Sequence, residues 1–337
     1  AAFGAGAVVL KSIFEEQVLR QAAASDFEPQ GMGDSGEYLE RYLDDAYKLE
    51  FLRLISDARR TGLPVIASIN CMSAGAAWTD YAVAMVDAGA SALELNIFLQ
   101  PADPCRPAQE IECEYAGIVR QVTAAVSVPV SVKLPMRLTN VLAMAETLRH
   151  CGARGVVLFN RFFEPDIDIE QLRFVASDPF SAPSELRNFL RSAALCSSMI
   201  PELDLSVSTG VHNGEAAVKA LLCGARAVQV CTAIHLCGYE VIEAIGRFID
   251  EWAERHGFSS LDQFYGKLNY GQIGNALFQR VQYMKYFPSK VEEASYRPVS
   301  SSYIAANRAR RAVASHISAR SSSSRRAFSE WGIQSCR

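Results

Sequence analysis

The chain has 337 residues, half of them hydrophobic, and a formal net charge of −4. That suffices to bury a barrel-sized core, and the balance argues against nucleic acid as a bulk partner. No apolar run reaches the ~20 residues that span a bilayer, no basic-apolar leader opens the chain, and none of the nine cysteines forms a Cys-x-x-Cys pair. Structural zinc, iron–sulfur and metal-ligand sets are therefore not expected, and a cytoplasmic protein with reduced thiols is.

In chain order, the first strand is predicted at Ala7–Leu10, with Lys11 at its end. Residues 24–36 read as loop, followed by a charged helix over Glu37–Arg60. Further strands are predicted at Val65–Ile69, Ala92–Asn96, Val130–Lys133, Gly155–Phe159, Leu205–Ser208 and Ala227–Val230. Amphipathic helices fall between them at Trp78–Asp87, Ala108–Val126, Val141–His150, Ser184–Ser198, Glu215–Leu222 and Tyr239–His256. The runs VIASI, ALELNI, VSVKL and VVLF are apolar on both faces, as in a parallel sheet covered on both sides. Gly-Ala and Pro punctuation before several strands reads as helix C-caps.

Seven βα units predict an α/β fold, a (β/α)8 TIM barrel lacking its first βα unit, over residues 1–290. Residues 291–337 are Ser/Arg-rich and have the composition of a disordered tail.

The active face of such a barrel lies at the C-terminal ends of its strands. Lys11 ends the first strand and can hold an anion or a carbonyl oxygen, or be a solvated strand exit. Asn96 closes ALELN, where an amide offers donors and acceptors to a flat heterocycle. Glu94 has the same strand parity and needs a partner if it is buried. Lys133 ends VSVK. It serves either an anionic or electron-rich group or an ion pair with Glu94.

Asn160 and Arg161 end VVLFNR; the arginine suits a carboxylate or phosphate, or else Asp166 or Asp168 of its own loop. Thr209, Gly210, Cys231 and Thr232 follow the last two strands, where a glycine lets backbone N–H groups approach a phosphate. His212 and His235 are either acid–base groups or ordinary loop and helix-start residues.

The ordered set LKS, ALELN, VKLP, LFN and TGVHNGEAAVKALLCGARAVQVCTA resembles the dihydroorotate dehydrogenase family, both its soluble class 1 enzymes and the dihydroorotate dehydrogenase-like proteins. VIASINCMSAGAAWTDYAVAMVDAGASALELNI is also similar to the pyrimidine-reducing domain of dihydropyrimidine dehydrogenase. The resemblance implies an FMN-dependent oxidoreductase acting on dihydroorotate or a related dihydropyrimidine. It also implies a small-molecule pyrimidine substrate and a possible homodimer.

Carried over by position, Lys11 and Lys133 match flavin-ring lysines, Asn96 and Asn160 match amides near the flavin and the pyrimidine, and Gly210 and Thr232 match phosphate-holding positions. Thr209 and Cys231 stand where class 1 enzymes have glycines. The catalytic base is unassigned, because Leu99 stands where class 1 enzymes carry a cysteine, and Cys105 is the nearest substitute. On this reading Lys133→Ala impairs flavin reduction more than folding. Two alternatives stay open: a truncated, non-catalytic homologue, and a flavin-free phosphate-binding barrel enzyme.

Overall fold

The computed structural model describes residues 1–14, 48–70, 75, 77–99, 103–161 and 164–273. These lie in a compact unit that includes Ala1–Ile273; a second unit, Gly274–Ile333, falls outside the described residues. The expected loop at 24–36, the start of the charged helix and the tail from 291 fall outside them too. The charged helix is observed over residues 48–59.

All seven expected strands form. They are β1 (Val8–Val9), β3 (Val65–Asn70), β4 (Ala92–Asn96), β5 (Val130–Pro135), β6 (Gly155–Asn160), β9 (Asp204–Ser208) and β10 (Ala227–Gln229). They pair in parallel along the path β1-β3-β4-β5-β6-β9-β10. A further short strand, β2 (Ile13–Phe14), pairs with the end of β3. Among the described residues β1 and β10 are the edges of this path and do not pair with each other. The sheet is nevertheless curled. Flat parallel strands four places apart would sit roughly 19 Å from each other, yet the β10 side chain of Gln229 bonds the β4 side chain of Glu94 at 2.6 Å. The curled parallel sheet with helices outside it is a (β/α)8-barrel-like architecture.

The helices run over Ala77–Asp87, Ala108–Ala125, Val141–His150, Arg187–Met199, Gly214–Leu222 and Glu240–Arg255. Asn140 and Asn213 cap two of them, accepting from Ala143 and Ala216 N–H groups. Against the helices lie Leu93, Leu95, Val130, Val132, Val156, Leu158, Leu205 and Val207, all within 2 % of full burial. Burying such side chains contributes on the order of 2 kcal/mol each.

The other strand face corrects the expectation of strands apolar on both sides. Alternation and register place Ser68, Glu94, Asn96, Ser131, Lys133, Ser206, Ser208 and Gln229 on the concave face. A barrel interior is ordinarily packed with branched aliphatic side chains. This one is largely polar, with Ile66 and Val157 among its apolar members.

Besides β2, a hairpin and a short helix near the strand ends were not foreseen. An antiparallel hairpin, β7 (Pro165–Asp168) with β8 (Arg173–Ala176), rises after β6. A short helix, Thr232–Cys237, begins where the last strand was expected to end. Among the described residues no helix is long and apolar enough to cross a membrane.

Candidate active site

The strand ends bring most of the expected residues together. Asn96 closes β4 and is 6 % exposed; Asn160 closes β6, two places along the sheet. Asn160 Nδ2 donates to Asn96 Oδ1 at 2.9 Å across the concave face. Among the described residues Asn96 keeps its own amide donors and Asn160 its amide oxygen. Tyr115 steadies this strand end from the helix behind it, its hydroxyl donating to Ile97 O at 3.0 Å. Burial pushes that phenol up to about 12, so it remains a donor at neutral pH.

Lys133 is a member of a buried polar triad. Its Nζ is 3.6 Å from Glu94 Oε1 and donates to Gln229 Oε1 at 3.3 Å, while Gln229 Nε2 donates to Glu94 Oε2 at 2.6 Å. Lys133 is 5 % exposed and Glu94 is 1 % exposed. The ion pair named as one reading of Lys133 is therefore present. Gln229 was not singled out, although an amide at inward parity within AVQV was the available signal. Glu94 Oε1 and Ser206 Oγ are buried with no hydrogen-bond partner among the described residues. Such groups cost free energy unless something polar meets them. Lys11 is half-buried and makes no ion pair among the described residues; the neighbouring Ser12 hydroxyl meets that of Ser68 at 2.7 Å.

Around the last two strands the phosphate candidates share a cluster with a residue that was missed. Ser181 N–H donates to Thr232 Oγ1 at 3.2 Å, and its hydroxyl donates to the same oxygen at 3.1 Å. Gly210 N–H points at Ser181 Oγ at 3.4 Å, and His212 Nε2 is 3.0 Å from it. Arg161 holds this loop down. It pairs with Glu185 at 3.2 Å and donates to the carbonyls of Asp178 and Pro179. Glu185 in turn accepts from Ala182 N–H at 2.7 Å. Neither Asp166 nor Asp168 is Arg161's partner; their carboxylates accept backbone N–H groups within the hairpin.

Cys231 is half-buried and lies just before the short helix that Thr232 opens. His235 lies in that helix, its ring centroid 4.7 Å from that of Phe180.

Thr209 has φ +76°, a left-handed conformation that costs a β-branched residue roughly 1–2 kcal/mol. Thr209→Gly is expected to raise unfolding stability by about 1 kcal/mol, read from the urea midpoint. A midpoint that falls would show that the threonine side chain supports the turn instead.

Burial lowers the His212 pKa below its ordinary value. The folded chain therefore takes up a proton less readily than the unfolded chain. This contributes stability above pH ~6.5 that is lost as pH falls below it. His212→Asn is expected to flatten the stability–pH curve on that acid side; an unchanged slope in thermal melts would contradict the assignment.

Leu99 is half-buried and packs against the core. Cys105 is exposed in the turn before the helix at Ala108, its N–H donating to Asp103 at 2.8 Å. Beside Asn160 lies a cavity of about 200 Å³, lined by Arg137, Arg161, Glu164, Glu185, Phe189 and Thr209. Arg137 pairs with Glu164 as Arg161 does with Glu185, so its charges largely cancel.

No family model matches the chain. Among curated proteins it is 28 % identical over 278 residues to the catalytic subunit of dihydroorotate dehydrogenase B (NAD(+)) of Methanothermobacter thermautotrophicus, covering 78 % of this chain and 86 % of that protein. It is also 28 % identical over 279 residues to the corresponding subunit of Pyrococcus abyssi, covering 78 % of this chain and 87 % of that one. With the chloroplastic dihydropyrimidine dehydrogenase (NADP(+)) of Arabidopsis thaliana it shares 24 % identity over 219 residues, 60 % of this chain and 51 % of the plant protein. The chain is related to the dihydroorotate dehydrogenases, and more distantly in identity to dihydropyrimidine dehydrogenase.

Proposed function

We propose that this chain is a pyrimidine-related oxidoreductase that holds FMN at the strand ends and acts on dihydroorotate or a similar dihydropyrimidine. One observation carries the reading. Ring-directed groups (Lys133, Asn96 and Asn160) and phosphate-directed donors (Gly210, Ser181 and Thr232) converge on one end of one curled sheet. The residues fit the cofactor's chemistry. The concave face is largely polar where barrel interiors are normally apolar, and it carries a buried cation and buried oxygens that accept no hydrogen bond among the described residues.

When bound, FMN supplies a ring that accepts a hydride from a ring carbon of the substrate. Lys133 would present a fixed positive charge toward that ring. The free amide groups of Asn96 and Asn160 orient a planar substrate by donating to its carbonyls and accepting from its N–H groups. Gly210 and Ser181 N–H groups with the Thr232 hydroxyl hold the phosphate. Leu99 has no proton to exchange, so no base is assigned to that position.

The test is uptake of FMN by the purified chain. Reconstitution followed by desalting is expected to leave a yellow protein with about one flavin per chain. A colourless protein with native circular dichroism would overturn the flavin reading.

A further inference from the structure

The flavin reading puts a lysine at the ring, but does not say what sets that lysine's position. The structure assigns this to two buried residues. We propose that Glu94 and Gln229 are positioning residues that clamp Lys133 Nζ on the concave face, and that Gln229 keeps the ion pair from closing. The inference rests on the flavin reading above.

The geometry supports the clamp. A contact of 3.6 Å between Nζ and Glu94 Oε1 is longer than the 2.7–2.9 Å of a closed charged hydrogen bond. Gln229 occupies both partners at once. Its Nε2 donates to Glu94 Oε2 at 2.6 Å, and its Oε1 accepts from Lys133 Nζ at 3.3 Å. The carboxylate is thus turned toward the amide, and its second oxygen accepts no hydrogen bond among the described residues.

An amide can play this part because it has a donor and an acceptor on one planar head. Leucine at 229 would leave Glu94 and Lys133 with only each other. Nζ would then move toward the carboxylate and away from the strand ends. Glutamine at 94 would instead remove the opposing charge and leave the lysine's field uncompensated. The two substitutions therefore act on the lysine in opposite senses. A merely structural hydrogen-bond network has no reason to do so.

The test is the equilibrium between oxidised and reduced flavin in the FMN-loaded full-length chain, measured anaerobically against a reference dye. Gln229→Leu is expected to shift it about tenfold toward the oxidised form, as a small displacement of a buried charge implies. Gln229→Asn, too short to reach both partners and milder for folding, should shift it in the same direction. Glu94→Gln is expected to shift it about tenfold toward the reduced form. Unchanged potentials, or shifts of the same sign in all three flavin-loaded variants, would overturn the clamp. A wild-type chain that takes up no FMN overturns instead the flavin reading on which it rests. Flavin uptake with flat variant potentials defeats this inference alone.

Discussion

Lys133→Ala is expected to lower unfolding stability by about 3 kcal/mol and to make flavin reduction unfavourable in whatever protein folds. The magnitude follows from what the lysine leaves behind. Glu94 is 1 % exposed, and its Oε1 has the Lys133 ammonium as its ionic partner and no hydrogen bond. Removing one member of a buried pair strands a charge in a medium that solvates it poorly.

Urea unfolding reads this loss directly. The double variant Lys133→Met/Glu94→Leu removes both charges, and it should recover most of the stability without recovering reduction. A Lys133→Ala protein as stable as the wild type at pH 8 would contradict the pairing. The sequence suggested that this substitution impairs flavin reduction more than folding; the triad adds a large folding cost of its own.

Gly210→Ala is the second large effect. Gly210 has φ +79°, and a Cβ built there lies 2.5 Å from Leu186 N, an atom of backbone and not of a movable side chain. Leu186 ends the single turn Pro183–Leu186 that leads into the helix Arg187–Met199. Strain and clash together should cost about 3 kcal/mol and displace the loop that carries Ser181. On the proposed flavin reading Gly210 N–H and Ser181 hold the phosphate, so FMN affinity should fall by at least about tenfold. Urea unfolding and flavin fluorescence titration measure the two losses. An alanine variant that binds FMN normally would move the phosphate site elsewhere.

These effects also mark what could be read before any coordinates. The strands were legible because the outward residues form short apolar runs between glycine and proline breaks. Lys133, Asn96 and Asn160 were legible as strand-end residues, and parity puts Glu94 and Asn96 on one face; Asn160 has the parity of the outward Val156 and Leu158 and reaches Asn96 where the β5–β6 register shifts. What was not legible depended on distance along the chain. Gln229 is 135 residues from Glu94, and nothing local in AVQV says that the curl of the sheet brings them together. Ser181 meets Thr232 across 51 residues through a loop that Arg161 pins.

The hairpin at 165–176 was missed for another reason. Its alternation is only four residues long on each strand. One face carries Ile167 and Phe174, 58 % and 74 % exposed, so no buried stripe advertised it. Thr209 shows the reverse case. Its likeness to a glycine position was read from sequence, and its positive φ is the conformation a glycine would take without strain.

The proposed flavin site and its reaction with a dihydropyrimidine are tested most directly by anaerobic titration of the FMN-loaded chain with dihydroorotate, followed by absorbance of the oxidised flavin. Bleaching in proportion to substrate added is expected, with loss of bleaching in Lys133→Ala. Flavin that stays oxidised with dihydroorotate and with dihydropyrimidines such as dihydrouracil, in a protein that binds FMN, would contradict it.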